Sequence, residues 1–163
     1  MTTTTVSYLL KSSTNQTIGA LKGILTKGEA HARKLNVEDS VLLSNRLYPA
    51  MFDLTRQVQI ACDPVARGAA RLAGLDMPAF PDTEQTFTDL IARCDKTIAY
   101  VNGVENAKID ANTNVILQIP MGANTMPMDG KTYLSGFILT NLHFHAAIAY
   151  GLDQAAEGTY AVY

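Results

Sequence analysis

An amide and an imidazole interrupt the last apolar stripe of this chain. Between residues 132 and 153, one helical stripe repeats at steps of 4 and 3 and consists of Leu134, Ile138, Asn141, His145, Ile148 and Leu152. Such a stripe faces neighbouring helices. Because buried polar groups need hydrogen-bond partners, we expect any chemistry of this protein to lie around Asn141 and His145.

The spacing of the histidines separates them into two roles. On a helix, His143 and His145 point about 200° apart and cannot bind one ion together, whereas Asn141 and His145 share a face. Three interpretations of His145 stay open: a core histidine held by Asn141 or by another helix, a binding or catalytic histidine, or a metal ligand. His143 is expected to face solvent or a second subunit.

Asp53 and Gln57 are the other candidate ligand-binding residues. They lie four residues apart, beside the apolar stripe of the second predicted helix. Sites in helical bundles are assembled from groups that project inward from facing helices. Gln57 is a poor metal ligand but a suitable hydrogen-bond partner for an imidazole. The alternative is that both residues form a solvated edge.

Four helices are predicted to position these residues. Their apolar periods indicate helices over residues 6–35, from Pro49 to the stop at Gly74, from the cap Asp82 to Asn102–Gly103, and over 132–153 with Thr132 as cap. Alternating residues from 114 to 120, the turn MGAN and the return TMPM predict a β-hairpin. We therefore expect an all-α four-helix bundle with a small hairpin between helices three and four, as a single domain over 1–163.

The stripes of the first three helices define the predicted core. They are Leu10, Thr14, Ile18, Leu21, Leu25, Gly28 and Ala32; then Met51, Leu54, Val58, Ala61, Val65, Gly68 and Leu72; then Phe87, Leu90, Cys94, Ile98 and Val101. Val41, Leu42 and Leu47 are the expected anchors of the connector after helix one. Gly19, Gly23 and Gly28 either weaken helix one, so that packing must hold it, or mark close approach to a neighbouring helix.

Composition excludes several classes of function. The net charge is -2 and there is no basic run, so a nucleic-acid partner is not expected. No apolar run reaches the length of a membrane span, and the N-terminus does not resemble a secretory signal, so we expect a cytoplasmic protein. Cys62 and Cys94 form no CxxC and are interpreted as small buried hydrophobes.

Apolar residues outside the main stripes predict a homodimer. A helix that is apolar on more than one face must bury both faces, and a two-fold dimer is the commonest way to do so. Helix four is a candidate for the interface. The residues concerned are Ile24, Phe52, Ile60, Phe137 and Phe144.

Two segments resemble a known superfamily. The runs TRQVQIACD and DTEQTF, together with the Asn and His of the late YLSGFILTNLHFHAAIAY, are similar to an uncharacterised bacterial domain-of-unknown-function family of the DinB/YfiT-like superfamily. The resemblance covers roughly residues 47–152. After Tyr150 the chain departs from the Gly-Val-Pro-like tail of such relatives.

The resemblance implies a four-helix bundle, commonly dimeric, related to proteins that bind a divalent metal at the mouth of the bundle. In those proteins one histidine comes from helix two and two come from the last helix, four residues apart. Here the last-helix pair falls on Asn141 and His145, and Gln57 or Gln59 occupies the neighbourhood on helix two. Only His145 remains as a metal ligand.

Three functions follow from these observations. The first is an uncharacterised DinB-like protein with a degenerate metal site and no assignable reaction. The second is a metal- or thiol-dependent transferase-type enzyme that uses His145. The third is a non-catalytic dimer that binds a small ligand around Asn141, His145 and Gln57, or whose polar pair only fixes the helix register.

Overall fold

Four long helical segments dominate the fold. A computed structural model describes the backbone of residues 4–157 and the side chains of residues 4–154. Its long segments are α1 (Val6–Leu35), α3 (Leu54–Leu72), α4 (Phe87–Gly103), and a last helix made of α6 (Gly130–Tyr133), a π-helical turn (Leu134–Ile138) and α7 (Leu139–Glu157). Shorter elements are α2 (Asp39–Leu43), α5 (Asn106–Ala111), β1 (Ile116–Met121) and β2 (Asn124–Asp129). The divergent C-terminus extends beyond the described residues.

The long helices pack in a closed order. Helices α1 and α3 each contact both α4 and α7. Pairing of Lys22 with Asp95 and of Asn15 with Asn102 shows that α1 and α4 run in opposite directions. The start of α1 therefore lies beside the end of α4, and its end lies beside the start of α4.

The predicted all-α fold with an inserted hairpin is confirmed. Strands β1 and β2 pair in antiparallel register from Ile116 opposite Asp129 to Met121 opposite Asn124. Helix α1 has the predicted bounds, and every residue of its predicted stripe is buried. The predicted stripes of α3 and α4 are also buried, apart from the half-buried Met51 and Ile98.

The second long helix begins later than predicted. It starts at Leu54, with Asp53 as its cap, because the Asp53 carboxylate accepts a hydrogen bond from Arg56 N at 2.9 Å. Pro49 lies in a preceding turn. The prediction that Pro49 lies in the first turn was wrong, because the helix begins where the Asp53 carboxylate satisfies a free N–H group of that turn.

The connector before this helix is partly helical. Its residues Asp39–Leu43 form α2, which was not predicted. Leu42 is buried as expected, but the second anchor is Leu43, while Val41 and Leu47 are more than half exposed.

Two other predicted caps were also wrong. Helix α4 begins after Thr86, which forms a capping box with Asp89, whereas Asp82 lies before the helix in an ion pair. The last helix begins after Asp129, whose carboxylate accepts a hydrogen bond from Thr132 N at 2.7 Å. Each segment holds several residues able to cap, so the local pattern alone does not choose between them.

The π-helical turn changes which face of the last helix is buried. Leu139 N donates to Leu134 O, five residues back, and Thr140 Oγ1 donates to Ser135 O. A π turn contains one residue more than an α-helical turn. Accordingly, the buried positions after it are shifted one residue along from the predicted stripe, to Leu142, Ala146, Ala149 and Asp153, with Leu152 also buried.

Two further predictions concern the surface and the core. Cys62 and Cys94 are buried as expected, and the hydrogen bond that the Cys94 thiol donates to Cys62, followed by burial, raises the pKa of Cys94. Phe52 and Phe144 are more than half exposed, and the homodimer stays a prediction.

No helix in residues 4–157 has the length and apolar character needed to cross a membrane.

One glycine of α1 is required by packing. A Cβ atom at Gly28 would fall 2.9 Å from Phe87 Cε1 and closer still to Asp153 Oδ1. By contrast, a Cβ atom at Gly19 or Gly23 would meet nothing within 4 Å. Gly28 thus marks a close helix approach, and the other two glycines do not.

We predict that Gly28→Ala lowers the free energy of unfolding by about 1–3 kcal/mol, because the added methyl overpacks the contact with Phe87. Gly19→Ala on the same helix is the matched control and should raise the free energy of unfolding by up to about 1 kcal/mol. Urea unfolding of both variants measures the difference. Equal effects at the two positions would contradict the assigned packing.

Candidate functional site

A hydrogen bond between α3 and α7 forms the centre of the candidate site. Gln57 Oε1 lies 2.7 Å from His145 Nδ1. An amide oxygen only accepts, so Nδ1 carries the hydrogen and donates. Gln57 Nε2 in turn donates to Phe52 O at 3.4 Å, which matches this orientation of the amide. The tautomer that results leaves His145 Nε2 unprotonated when the ring is neutral.

The site is half-open rather than enclosed. Gln57 is buried and His145 is half-buried. The ring of the exposed Phe144 stands edge-on to the imidazole, with centroids 5.0 Å apart. The guanidinium of Arg56 lies over the ring of Phe52, 5.9 Å from its centroid. The ring of Phe144 therefore contacts the imidazole of His145, and Arg56, which lies over Phe52, is the cation whose charge reaches His145.

Burial and charge both keep His145 neutral. Desolvation, followed by the positive charge of Arg56, lowers the pKa of His145 below its ordinary value of 6.5. The unprotonated Nε2 can accept a hydrogen bond or take up a proton. These are the properties of a binding group or of a general base.

Asn141 is only partly brought into the site. It is half-buried, and its side-chain amide donates to Phe137 O at 2.8 Å within its own helix. The expectation that Asn141 and His145 belong to the buried stripe was wrong, because the π turn shifts that stripe to Leu142 and Ala146. Both residues instead flank the buried face.

Asp53 has a structural position. One carboxylate oxygen caps α3, and the other pairs with Arg46 at 3.2 Å. Asp53 lines a polar cleft of about 740 Å³ between α2, α3 and the loop before α4. Neither Gln57 nor His145 lines this cleft. The structure therefore joins Gln57 to His145, as hypothesised, and assigns Asp53 to the start of the helix that carries Gln57.

A charged network beside the site was missed from the sequence. Arg93 is buried and contacts three carboxylates, those of Asp63, Asp82 at 3.0 Å and Glu84 at 2.8 Å. Arg56 binds the same Asp82. The only sign of this network in the local sequence was Arg93 itself, a charged side chain next to the apolar stripe of α4. Its meaning depends on carboxylates from other segments, which the local pattern does not reveal.

The residues present do not fit a divalent metal centre. Among the described residues, no group of three or more His, Cys, Asp or Glu side chains is arranged to hold a metal ion. At the candidate site one imidazole is present, and its Nδ1 is already committed to Gln57. Zinc sites normally use three or four nitrogen, sulfur or carboxylate ligands.

The comparisons with known proteins define the class of this fold. A crystal structure of a DinB family member protein from Shewanella denitrificans is 32% identical and superposes with a TM-score of 0.82, covering 93% of this chain and 85% of that one. The chain thus has a DinB-like helical fold. No curated protein matches it.

The family follows from a second match. The model of the family described as DUF1993, a domain of unknown function, matches residues 9–153. The chain belongs to this family, which confirms the resemblance inferred from its sequence.

We predict that His145→Ala lowers the free energy of unfolding by about 1–3 kcal/mol, because it leaves Oε1 of the buried Gln57 without its hydrogen-bond donor. The control is His143→Ala, two residues away and exposed, which should cost less than about 0.5 kcal/mol. Chemical denaturation at pH 7.5 gives both values. A larger loss at His143 would contradict the assigned pairing.

A second prediction concerns pH. Because the pKa of His145 is lower in the folded chain, the unfolded chain binds a proton first as the pH falls below about 6.5. Stability contributed by His145 should therefore be complete above this pH and decline below it. The difference in unfolding free energy between wild type and His145→Gln should shrink between pH 7.5 and 5.5. A constant or growing difference would contradict the neutral, desolvated imidazole.

Proposed function

We propose that this DinB-like protein has a degenerate metal site, in which the Gln57–His145 hydrogen bond takes the place of a metal ion. The site binds a small ligand through His145 Nε2, and we assign it no reaction. The observation that carries the proposal is the 2.7 Å contact between Gln57 Oε1 and His145 Nδ1. It fixes the imidazole with protein groups alone.

The donor chemistry supports this proposal. The superfamily pattern implied by the resemblance requires three imidazoles, and this chain offers His145 with the amides of Gln57 and Asn141. Imidazole binds zinc, nickel or copper far better than an amide oxygen does. The Asn141 amide is also hydrogen-bonded within its own helix.

The surroundings of His145 suit a small molecule that donates a hydrogen bond. Nε2 is an acceptor in the neutral ring. Gln57 holds the ring in one tautomer, in the way that a carboxylate or carbonyl hydrogen-bonded to the other ring nitrogen orients a metal-bound histidine. The exposed ring of Phe144, edge-on to the imidazole, offers apolar contact area. Arg56 adds a positive charge, which favours a ligand that also carries an anionic group.

Restoring the missing imidazoles tests the proposal. We expect wild-type protein, purified without an affinity tag, to bind no stoichiometric zinc in calorimetry. The double variant Gln57→His/Asn141→His should bind zinc at least about 100-fold more tightly, since it recreates three imidazoles on α3 and α7. Adding His145→Ala to the double variant should abolish that gain.

The matched control is Gln59→His/Asn141→His. Gln59 bonds to Glu84 at 2.8 Å and to Arg56 at 3.1 Å, on the side of the charged network. A histidine there should give no comparable gain. One equivalent of metal bound to wild type and lost in His145→Ala would overturn the proposal and favour a metal-dependent transferase that uses His145.

A further inference from the structure

A second, mainly apolar cavity lies at the other end of the helices. It has a volume of about 520 Å³ and is formed where α1 begins, beside α5 and the π turn. Its size falls in the usual range of small-molecule sites, roughly 300–1,000 Å³. Val6, Leu9, Leu134 and Leu139 give it apolar walls, and Asp110 and Lys131 are its charged lining residues.

The two charged residues differ in what they can offer a ligand. Both carboxylate oxygens of Asp110 accept hydrogen bonds from Ser7, from its N at 2.8 Å and from its Oγ at 2.7 Å. The exposed ammonium of Lys131 makes no hydrogen bond or ion pair within the described part of the chain. Lys131 is therefore the lining cation with which a ligand can form an ion pair, within electrostatic range of the Asp129 carboxylate but not paired with it.

The π turn contributes a wall of this cavity. Leu134 and Ser135 belong to the turn, and Leu139 follows it directly. The Ser135 carbonyl accepts a hydrogen bond from Thr140 Oγ1 at 3.1 Å, so the widened turn is held by a side chain. Single π turns within helices occur frequently at functional sites.

We propose that this cavity binds an amphipathic monocarboxylate, whose apolar body occupies the space between α1 and the last helix and whose carboxylate pairs with Lys131. The apolar walls select the body of the ligand through the hydrophobic effect, and the free ammonium selects the sign of its head group. The inference does not depend on the Gln57–His145 site.

Titration of the full chain with decanoate, followed by amide chemical shifts, tests the site. We expect saturable shifts at the amides of Val6, Thr113, Lys131 and Ser135. Lys131→Ala should weaken decanoate binding at least fivefold, because the exposed side chain supplies the only charge that pairs with the head group. The matched control Lys27→Ala removes an exposed lysine elsewhere on the surface and should leave the affinity unchanged.

Two further measurements separate the parts of the proposal. Binding of 1-decanol, which has the same body and a neutral head, should be insensitive to Lys131→Ala. Leu9→Trp places a larger side chain at the 39% exposed wall and should weaken both ligands, and its unfolding midpoint checks that the fold is kept.

Absence of saturable shifts around the cavity would overturn the proposal. So would equal effects of Lys131→Ala and Lys27→Ala on decanoate, or the same loss of 1-decanol as of decanoate in Lys131→Ala. Shifts confined to Gln57 and His145 would assign the ligand to the other site.

Discussion

A half-buried imidazole must have a hydrogen-bond partner already in place, and this requirement ties the elements around His145 together. Leaving a buried polar group unpaired costs about 1–3 kcal/mol, a large share of the stability of a domain. Gln57 is the partner because α3 packs against α7 and the cap of α3, Asp53, lies four residues before Gln57. The cap therefore contributes to the site without lying in it.

The same pairing fixes the orientation of the imidazole with protein groups alone. In a histidine-rich site, the ion would fix the orientation of each ring. Here a 2.7 Å hydrogen bond to the side-chain amide of Gln57 orients the ring of His145. The charged network around Arg93 then holds α3, α4 and the loop before α4 in position, since a buried guanidinium with three carboxylate partners tolerates little movement.

The two ends of the fold have different chemistry. At the end where α3 and α4 begin, the cavity is polar, and most of its charged groups are already paired, as in Arg33 with Asp39 and Arg56 with Asp82. At the end where α1 begins, the cavity is apolar, and Lys131 forms no ion pair with any residue that the structure describes. A ligand with an apolar body suits the second cavity, whereas the first lies beside the arginine that influences His145.

The long helices and the hairpin could be predicted from the sequence, whereas the helix caps and the π turn could not, for physical reasons. Stripes at steps of 3 and 4 identified the long helices because burial repeats with the helical period, and the hairpin was visible in its alternation. The start of α4 was missed because Asp82 is occupied by tertiary ion pairs. The burial of Asn141 was overestimated because nothing local to residues 134–138 marks a π turn. Gln57 was found as a partner of His145 from its position beside the stripe, but Arg93 was not, since its carboxylates come from distant segments.

The tautomer of His145 tests the central claim most directly. A two-bond proton–nitrogen correlation spectrum at pH 7.5 should show a neutral ring with Nδ1 protonated and Nε2 unprotonated, unchanged by one equivalent of zinc. Gln57→Leu should remove this preference while the fold is kept. A ring protonated at Nε2, or an imidazole signal that moves with one equivalent of zinc, would contradict the account.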